Sequence, residues 1–300
     1  MKRLLLPALI FILGHIAVAQ QQALFTQYMF NQLPLNAAYT GIHEGVSASM
    51  LWREQWIGFE GAPSTQTLSL HTPIAFRSIS VGGVIMRDKI GVSNQLSARF
   101  MYAYRIRLGN TQLSFGLETS LNHYSTNYNK DGIFDPALAS ADQNLMKPNF
   151  GTGILWHSDK FYFGVGLPNA IQQQFYKSDD LNGELLRHYY ITGGYVFAIY
   201  DNLLIKPNFL VKAVTGAPLQ ADLNINVLLQ RVLWLGLSYR SFESVNAVVQ
   251  FQISPKFQLG YAFDFWTTTS LNQAVQGSHE IMINYVFELP RTKIITPRYF

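Results

Sequence analysis

From about residue 45 to residue 288 the chain repeats one pattern, an apolar or aromatic position followed by a polar or small one. Asp222-Leu223-Asn224-Ile225-Asn226-Val227 carries it, as does His279-Glu280-Ile281-Met282-Ile283-Asn284-Tyr285-Val286-Phe287. A period of two marks a β-strand with one apolar face and one wetter face. In residues 97–107 the apolar face is Ala98, Phe100, Tyr102, Tyr104 and Ile106, while Ser97, Arg99, Ala103, Arg105 and Arg107 share the other. In residues 112–122, Leu113, Phe115, Leu117 and Leu121 stand opposite Gln112, Ser114, Glu118 and Asn122. Residues 258–265 set Leu259, Tyr261, Phe263 and Phe265 against Gln258, Gly260, Ala262 and Asp264. No segment longer than a few residues has a helical period.

The links between these segments alternate in length. Gly109-Asn110, Ser158-Asp159, Asp201-Asn202, Gln230-Arg231 and Ser254-Pro255 read as tight turns. Longer links fall around residues 53–63, 126–148, 168–187, 214–220 and 266–278. Short turns on one rim and long loops on the other are the order of a transmembrane β-barrel, with short periplasmic turns and longer external loops. The expected fold is therefore all-β: a transmembrane antiparallel β-barrel of about fourteen strands, an even number that returns both termini to one side. A soluble sandwich or propeller would also alternate. The clearest strands, however, run about ten residues, which suits a membrane span, and no blade-sized repeat is visible.

Composition agrees. Charged residues make up 13% of the chain and aromatics 14%, whereas soluble domains carry about 25% charge. A lipid-facing band excludes charge and gathers Tyr, Trp and Phe at its rims. Met1-Lys2-Arg3, an apolar run from Leu4 to Val18 and the small-residue site Ala17-Val18-Ala19 read as a cleaved signal peptide over residues 1–19. Removing Lys2 and Arg3 from 22 basic residues leaves 20 against 18 acidic ones, and the formal charge falls from +4 to +2. That balance gives no support for nucleic acid as a partner. The absence of cysteine excludes disulfides, thiolate metal sites and thiol catalysis. Beyond the signal no apolar run is long enough for a transmembrane helix. The chain thus divides into a signal peptide (1–19), an N-terminal periplasmic segment (20–41) and an outer-membrane barrel with a short C-terminal tail (42–300).

The stretches that interrupt the alternation carry a family likeness. They are Gln27-Tyr28-Met29-Phe30-Asn31, Leu35-Asn36-Ala37-Ala38-Tyr39-Thr40-Gly41, Trp52-Arg53-Glu54-Gln55-Trp56-Ile57-Gly58-Phe59-Glu60-Gly61-Ala62-Pro63 and Thr65-Gln66-Thr67-Leu68-Ser69-Leu70-His71-Thr72-Pro73. Lys206-Pro207-Asn208-Phe209, Gly260-Tyr261-Ala262-Phe263-Asp264 and Gly277-Ser278-His279-Glu280 follow. In their order they resemble the PorP/SprF family, outer-membrane proteins of the Bacteroidetes type IX secretion system. Asn36-Ala37-Ala38-Tyr39 departs slightly, since the family pattern has Asn-Pro before Ala-Tyr. The resemblance implies a non-enzymatic barrel of the secretion and gliding machinery. It implies as partners the lipid of the outer membrane, cargo or adhesin proteins with a C-terminal sorting domain, and the periplasmic ring and peptidoglycan-linked components. A passive porin-like channel on the same architecture is the alternative.

Candidate sites follow from the same division. Phe25, Tyr28, Phe30 and Tyr39 could anchor a partner or fold into the barrel mouth. Trp52, Trp56 and Phe59 are either girdle aromatics at the membrane interface or an external surface that meets cargo. Arg99, Arg105, Arg107, Glu118, Asp222, Asp264 and Glu280 fall on polar strand faces and are expected to face the lumen, paired across strands or lining a wet cavity. Asn127-Tyr128-Asn129-Lys130-Asp131-Gly132 opens like a calcium loop, but Leu138 stands where the pattern needs Glu. The scattered histidines form no HExxH, and no spacing singles out a nucleophile. Gly164-Val165-Gly166 lies in a strand and cannot cradle a nucleotide. No enzyme, metal or cofactor is expected.

Overall fold

The alternating segments become the strands of one antiparallel sheet that closes on itself. The computed structural model describes residues 23–74, 78–126, 143–174, 184–241, 243–266 and 275–288. The first half of the wall holds β1 (Val46–Glu54), β2 (Ser64–Pro73), β3 (Ile79–Ile90), β4 (Ser93–Leu108), β5 (Thr111–Thr126), β6 (Gln143–His157) and β7 (Phe161–Leu167). A small hairpin of β8 (Gln173–Gln174) and β9 (Glu184–Leu185) stands apart from it. The wall resumes with β10 (His188–Tyr195), β11 (Phe197–Tyr200), β12 (Leu203–Val214), β13 (Gln220–Leu229), β14 (Leu233–Arg240), β15 (Ser244–Ser254), β16 (Phe257–Trp266) and β17 (Ser278–Phe287).

Each wall strand pairs with its chain neighbour, β1 pairs with β17, and β10 pairs with both β7 and β12. β10 and β11 share β12 as partner and form one strand broken at Val196, so the wall is a closed barrel of 14 strands. At the break Val196 donates its N–H to Lys160 O and turns its side chain into the interior.

The burial along each strand is inside-out relative to a soluble barrel. On β4 and β5, Phe100 is 57% and Leu117 62% exposed, while Arg99 and Glu118 are 4% and 3% exposed. Outward apolar side chains would be a liability in water, but in lipid they cost nothing. Closure pairs the wall strands on both sides along most of their length, which is how backbone N–H and C=O groups are satisfied where lipid offers no partner.

Short links 109–110, 158–160, 201–202, 230–232 and 255–256 gather on one rim, the turn rim, where β2 also ends and β3 begins. Gln230 and Arg231 both take left-handed φ, +53° and +57°, at the centre of the tight turn that Val232 N–H closes onto Leu229 O. The opposite loop rim carries 55–63, 91–92 and 215–219, and β5, β7, β14 and β16 end there.

Candidate functional site

A barrel of fourteen strands is too wide for wall side chains alone to fill, since about eight strands is the size at which they just suffice. Here residues 23–41 occupy the interior. The sequence sets residues 20–41 ahead of the barrel as a periplasmic segment; their described part instead lies within the wall, where a wide lumen supplies apolar surface and polar partners. Phe25, Tyr28, Met29, Leu33, Leu35, Ala38 and Tyr39 are all buried. In a water-filled lumen each fully buried Leu, Phe or Met contributes about 1.5–3 kcal/mol. The segment satisfies much of its backbone locally, through 3-10 turns at Tyr28–Phe30 and Ala37–Tyr39. Further turn bonds run from Leu35 N and Asn36 N to Gln32 O.

One end is held by charge. Arg53 on β1 pairs with Asp264 on β16 (Nη2–Oδ2 2.6 Å) and Glu280 on β17 (Nη1–Oε2 3.0 Å), and all three are buried. Thr26 sits among them. Its hydroxyl donates to Asp264 Oδ1 (2.7 Å) and accepts from Arg53 Nη1 (2.8 Å). The backbone N–H groups of Thr26 and Gln27 each donate to one oxygen of Glu280, both at 2.8 Å. A carboxylate with an Arg and two backbone donors has its hydrogen-bonding capacity well used, which is the condition for burying charge.

The other end is held by shape. Asn36 caps the second 3-10 turn by accepting from Ala38 N (2.9 Å), and its Nδ2 donates to Ile154 O (3.0 Å). The wall in front of it is glycine. A Cβ at Gly116 would lie 2.2 Å from Ala38 N, at Gly153 2.0 Å from Asn36 Oδ1, and at Gly166 2.2 Å from Leu35 O. Only glycine leaves room for backbone to approach a strand this closely. The G-x-G of β7 is thus a niche for the internal segment.

Between these ends the contacts are mixed. Lys206 Nζ donates to Met29 O (3.4 Å) and lies 4.4 Å from the Phe30 ring centre and 5.1 Å from that of Trp234. Phe30 meets Trp234 edge-on at 5.8 Å, and Tyr39 meets Tyr162 edge-on at 6.0 Å. Tyr28 Oη accepts from Asn224. Burial pushes the Tyr28 and Tyr39 phenols well above their ordinary range, so both remain neutral. Arg99 Nη1 donates to Pro34 O (3.1 Å) and lies 3.6 Å from Glu118 Oε1. Arg105 Nη2 donates to Thr40 O (3.3 Å).

Among the polar-face candidates, Asp264 and Glu280 share a cluster with Arg53, Asp222 pairs with Arg240 (2.9 Å), and Glu118 faces Arg99. Arg105 is half-buried, and Arg107 shares its face but is exposed at the turn-rim end of β4. Phe25, Tyr28 and Tyr39 are buried and Phe30 partly so, all packed inside the wall. Trp52 points outward from β1, 50% exposed, and Phe59 stands 51% exposed in the 55–63 loop. Trp56, at φ +50°, donates its N–H to Ser278 Oγ (3.2 Å) and ties that loop to the start of β17. Arg53, Arg240 and Lys206 were not singled out by sequence. Their polar-phase position is the signal that would have flagged them. The calcium-like loop at 127–138 lies outside the described residues. Among the described residues no group of three or more His, Asp or Glu could hold a metal ion.

A family model described as "Type IX secretion system membrane protein PorP/SprF" matches residues 17–285. No curated protein matches the chain. Among solved structures, the outer membrane protein Omp33 of Acinetobacter baumannii is 11% identical over 83% of this chain and 100% of that one, with a TM-score of 0.48. The CymD monoaromatic hydrocarbon channel is 13% identical over 89% and 94%, with a TM-score of 0.49. Salmonella typhi OmpF in complex with daunomycin is 10% identical over 81% and 97%, with a TM-score of 0.39. At such distances these likenesses carry no argument about this chain, and its architecture rests on its own strand pairing.

Proposed function

Because this chain belongs to the PorP/SprF family of type IX secretion system membrane proteins, we propose that it is an outer-membrane barrel of that secretion and gliding machinery which helps export cargo or adhesin proteins or holds them at the cell surface. It does so as a rigid anchor rather than as a conduit. The observation that carries this reading is the occupied lumen: residues 23–41 lie within it and are bonded to strands on opposite sides of the wall, from Glu280 on β17 to Ile154 on β6. A filled barrel offers a lipid-embedded wall and two rims, and the work of partnership falls to the rims.

The passive-channel reading has the same wall but needs an open path, and the internal segment weighs against it. On the anchor reading, the loop rim faces outward toward cargo, with Trp56 and Phe59 as its aromatic contacts, and Trp52 sits in the interfacial girdle. The turn rim faces the periplasmic ring and the peptidoglycan-linked components. Phe25, Tyr28, Phe30 and Tyr39 then anchor the internal segment to the barrel itself. A cleaved signal over residues 1–19 delivers the chain to the envelope.

Affinity purification of the full-length protein from native outer membrane, followed by mass spectrometry, tests this. Proteins with a C-terminal sorting domain and secretion-ring components should co-purify, and Trp56→Ala should lower cargo recovery without lowering barrel abundance. Recovery of lipid and general assembly factors alone would sink the anchor role.

A further inference from the structure

The outward face of the wall is almost free of charge. Among the described residues on the outward phase of all fourteen wall strands, the charged side chains are Glu54 on β1 and Arg87 and Lys89 on β3. Arg87 and Lys89 are two residues apart, so both project from the same face of one strand. Both are exposed. They stand at the loop-rim end of β3, directly above the outward apolar Ile85 and, on the neighbouring strand, Leu68.

The strands on either side extend the patch. Gln66 on β2 and Leu96 on β4 flank Arg87, while Ser64 and Asn94 flank Lys89. Arg87 Nε donates to Asn94 Oδ1 (2.9 Å), which leaves the other guanidinium N–H groups facing out. Among the described residues neither cation forms an ion pair with a carboxylate. Glu54 lies in the same row, one strand beyond Ser64, and is held by Ser64 Oγ (2.6 Å) and by Trp52 Nε1. The other strand-borne basic residues lie on the inward phase, Arg53, Arg99 and Arg240 of them beside acidic partners.

A cation on the lipid face is costly at the bilayer midplane and nearly free at the interface. Two unneutralised cations on one face, at the upper border of the apolar band, form a site for an anion presented from the membrane. We propose that Arg87 and Lys89, with Gln66 and Asn94, bind the phosphate of an anionic lipid head group in the leaflet at the loop rim. The acyl chains lie along the apolar surface of β2 to β4, continuous with the lipid-facing band. The guanidinium offers a fork to phosphate oxygens and the ammonium a second point of charge. This inference rests on the transmembrane wall alone and is independent of the proposed role in secretion.

The test uses full-length protein reconstituted into vesicles of equimolar phosphatidylcholine and phosphatidylglycerol, re-extracted in mild detergent and examined by native mass spectrometry. Retained lipid should favour phosphatidylglycerol by roughly 30-fold, about a factor of five per basic residue. Arg87→Gln with Lys89→Gln should bring the two lipids near parity while heat-modifiable gel mobility is kept, because both side chains lie outside the packed interior. Lys160→Gln with Arg231→Gln, which removes the same charge at the turn rim, should leave the preference in place, and so should excess inorganic phosphate. Equal retention in the wild type, an unchanged preference in the Arg87/Lys89 variant, loss of preference in the turn-rim variant, or displacement by inorganic phosphate would each overturn the proposal.

Discussion

The two ends of the internal segment are held in opposite ways. Residues 26–27 are fixed by a charge cluster whose members come from three strands, Arg53, Asp264 and Glu280. Residues 35–38 are fixed by absent side chains, the glycines of β5, β6 and β7. The first arrangement depends on each partner being present. The second depends on nothing being added. A deletion of atoms should therefore free one end and an addition of atoms the other, a distinction that mutation can expose.

The largest effect is expected from breaking the cluster. Glu280→Ala leaves Arg53 short of a counter-charge and two buried N–H groups without acceptors, and should cost about 3–5 kcal/mol in urea unfolding of the micelle-solubilised barrel. Because the chain has no cysteine, single reporters can be read without background. Leu24→Cys should become maleimide-reactive in the Glu280→Ala background while Ala38→Cys stays protected. Equal reactivity at both sites would merge the two ends into one unit. Replacing Arg53, Asp264 and Glu280 together by apolar residues sharpens the point. Many buried ion pairs tolerate such replacement, but here Thr26 and Gln27 would each keep an unsatisfied N–H, costing about 1–3 kcal/mol apiece. A neutral triple variant would mean that the cluster braces the wall and does not hold the segment.

Adding atoms at the glycine niche should rank next. Gly116→Ala forces a methyl to 2.2 Å from Ala38 N and should cost about 1–3 kcal/mol, as overpacking does. Its reporter pattern should be the reverse, with Ala38→Cys reactive and Leu24→Cys protected. Asn36→Ala removes the turn cap and the bond to Ile154 O and should cost about 1 kcal/mol by the same unfolding measurement. Trp52→Ala, on the outward face, should change stability by no more than about 0.5 kcal/mol. A larger loss there would show that the girdle, and not the interior, sets the barrel's stability.

The wall was legible in the chain because period-two alternation states the phase of each strand directly. The outward Phe100 and inward Arg99 of β4 follow from spacing alone. The break at Val196 was not legible, since the strand's phase runs on across it: Gly194 faces Asn208 and Phe197 faces Ile205 in one unbroken register, and only a long-range bond to Lys160 O marks the place. The internal segment was harder still. Residues 23–41 have no period, and their partners lie far away in sequence: Thr26 meets Glu280 across 254 positions and Asn36 meets Ile154 across 118. Arg53 read as one residue of a family stretch, because its two carboxylates sit more than 200 positions away. The niche glycines read as ordinary strand residues, and their purpose emerges only when the segment lies against them.

Single-channel recording in planar bilayers tests the filled lumen most directly. The wild-type barrel should give no steady open conductance, whereas a variant lacking residues 24–40, provided it keeps heat-modifiable mobility, should give stable current steps. Steady steps of the same size from both proteins would contradict the account, since the lumen would then be open with the segment in place.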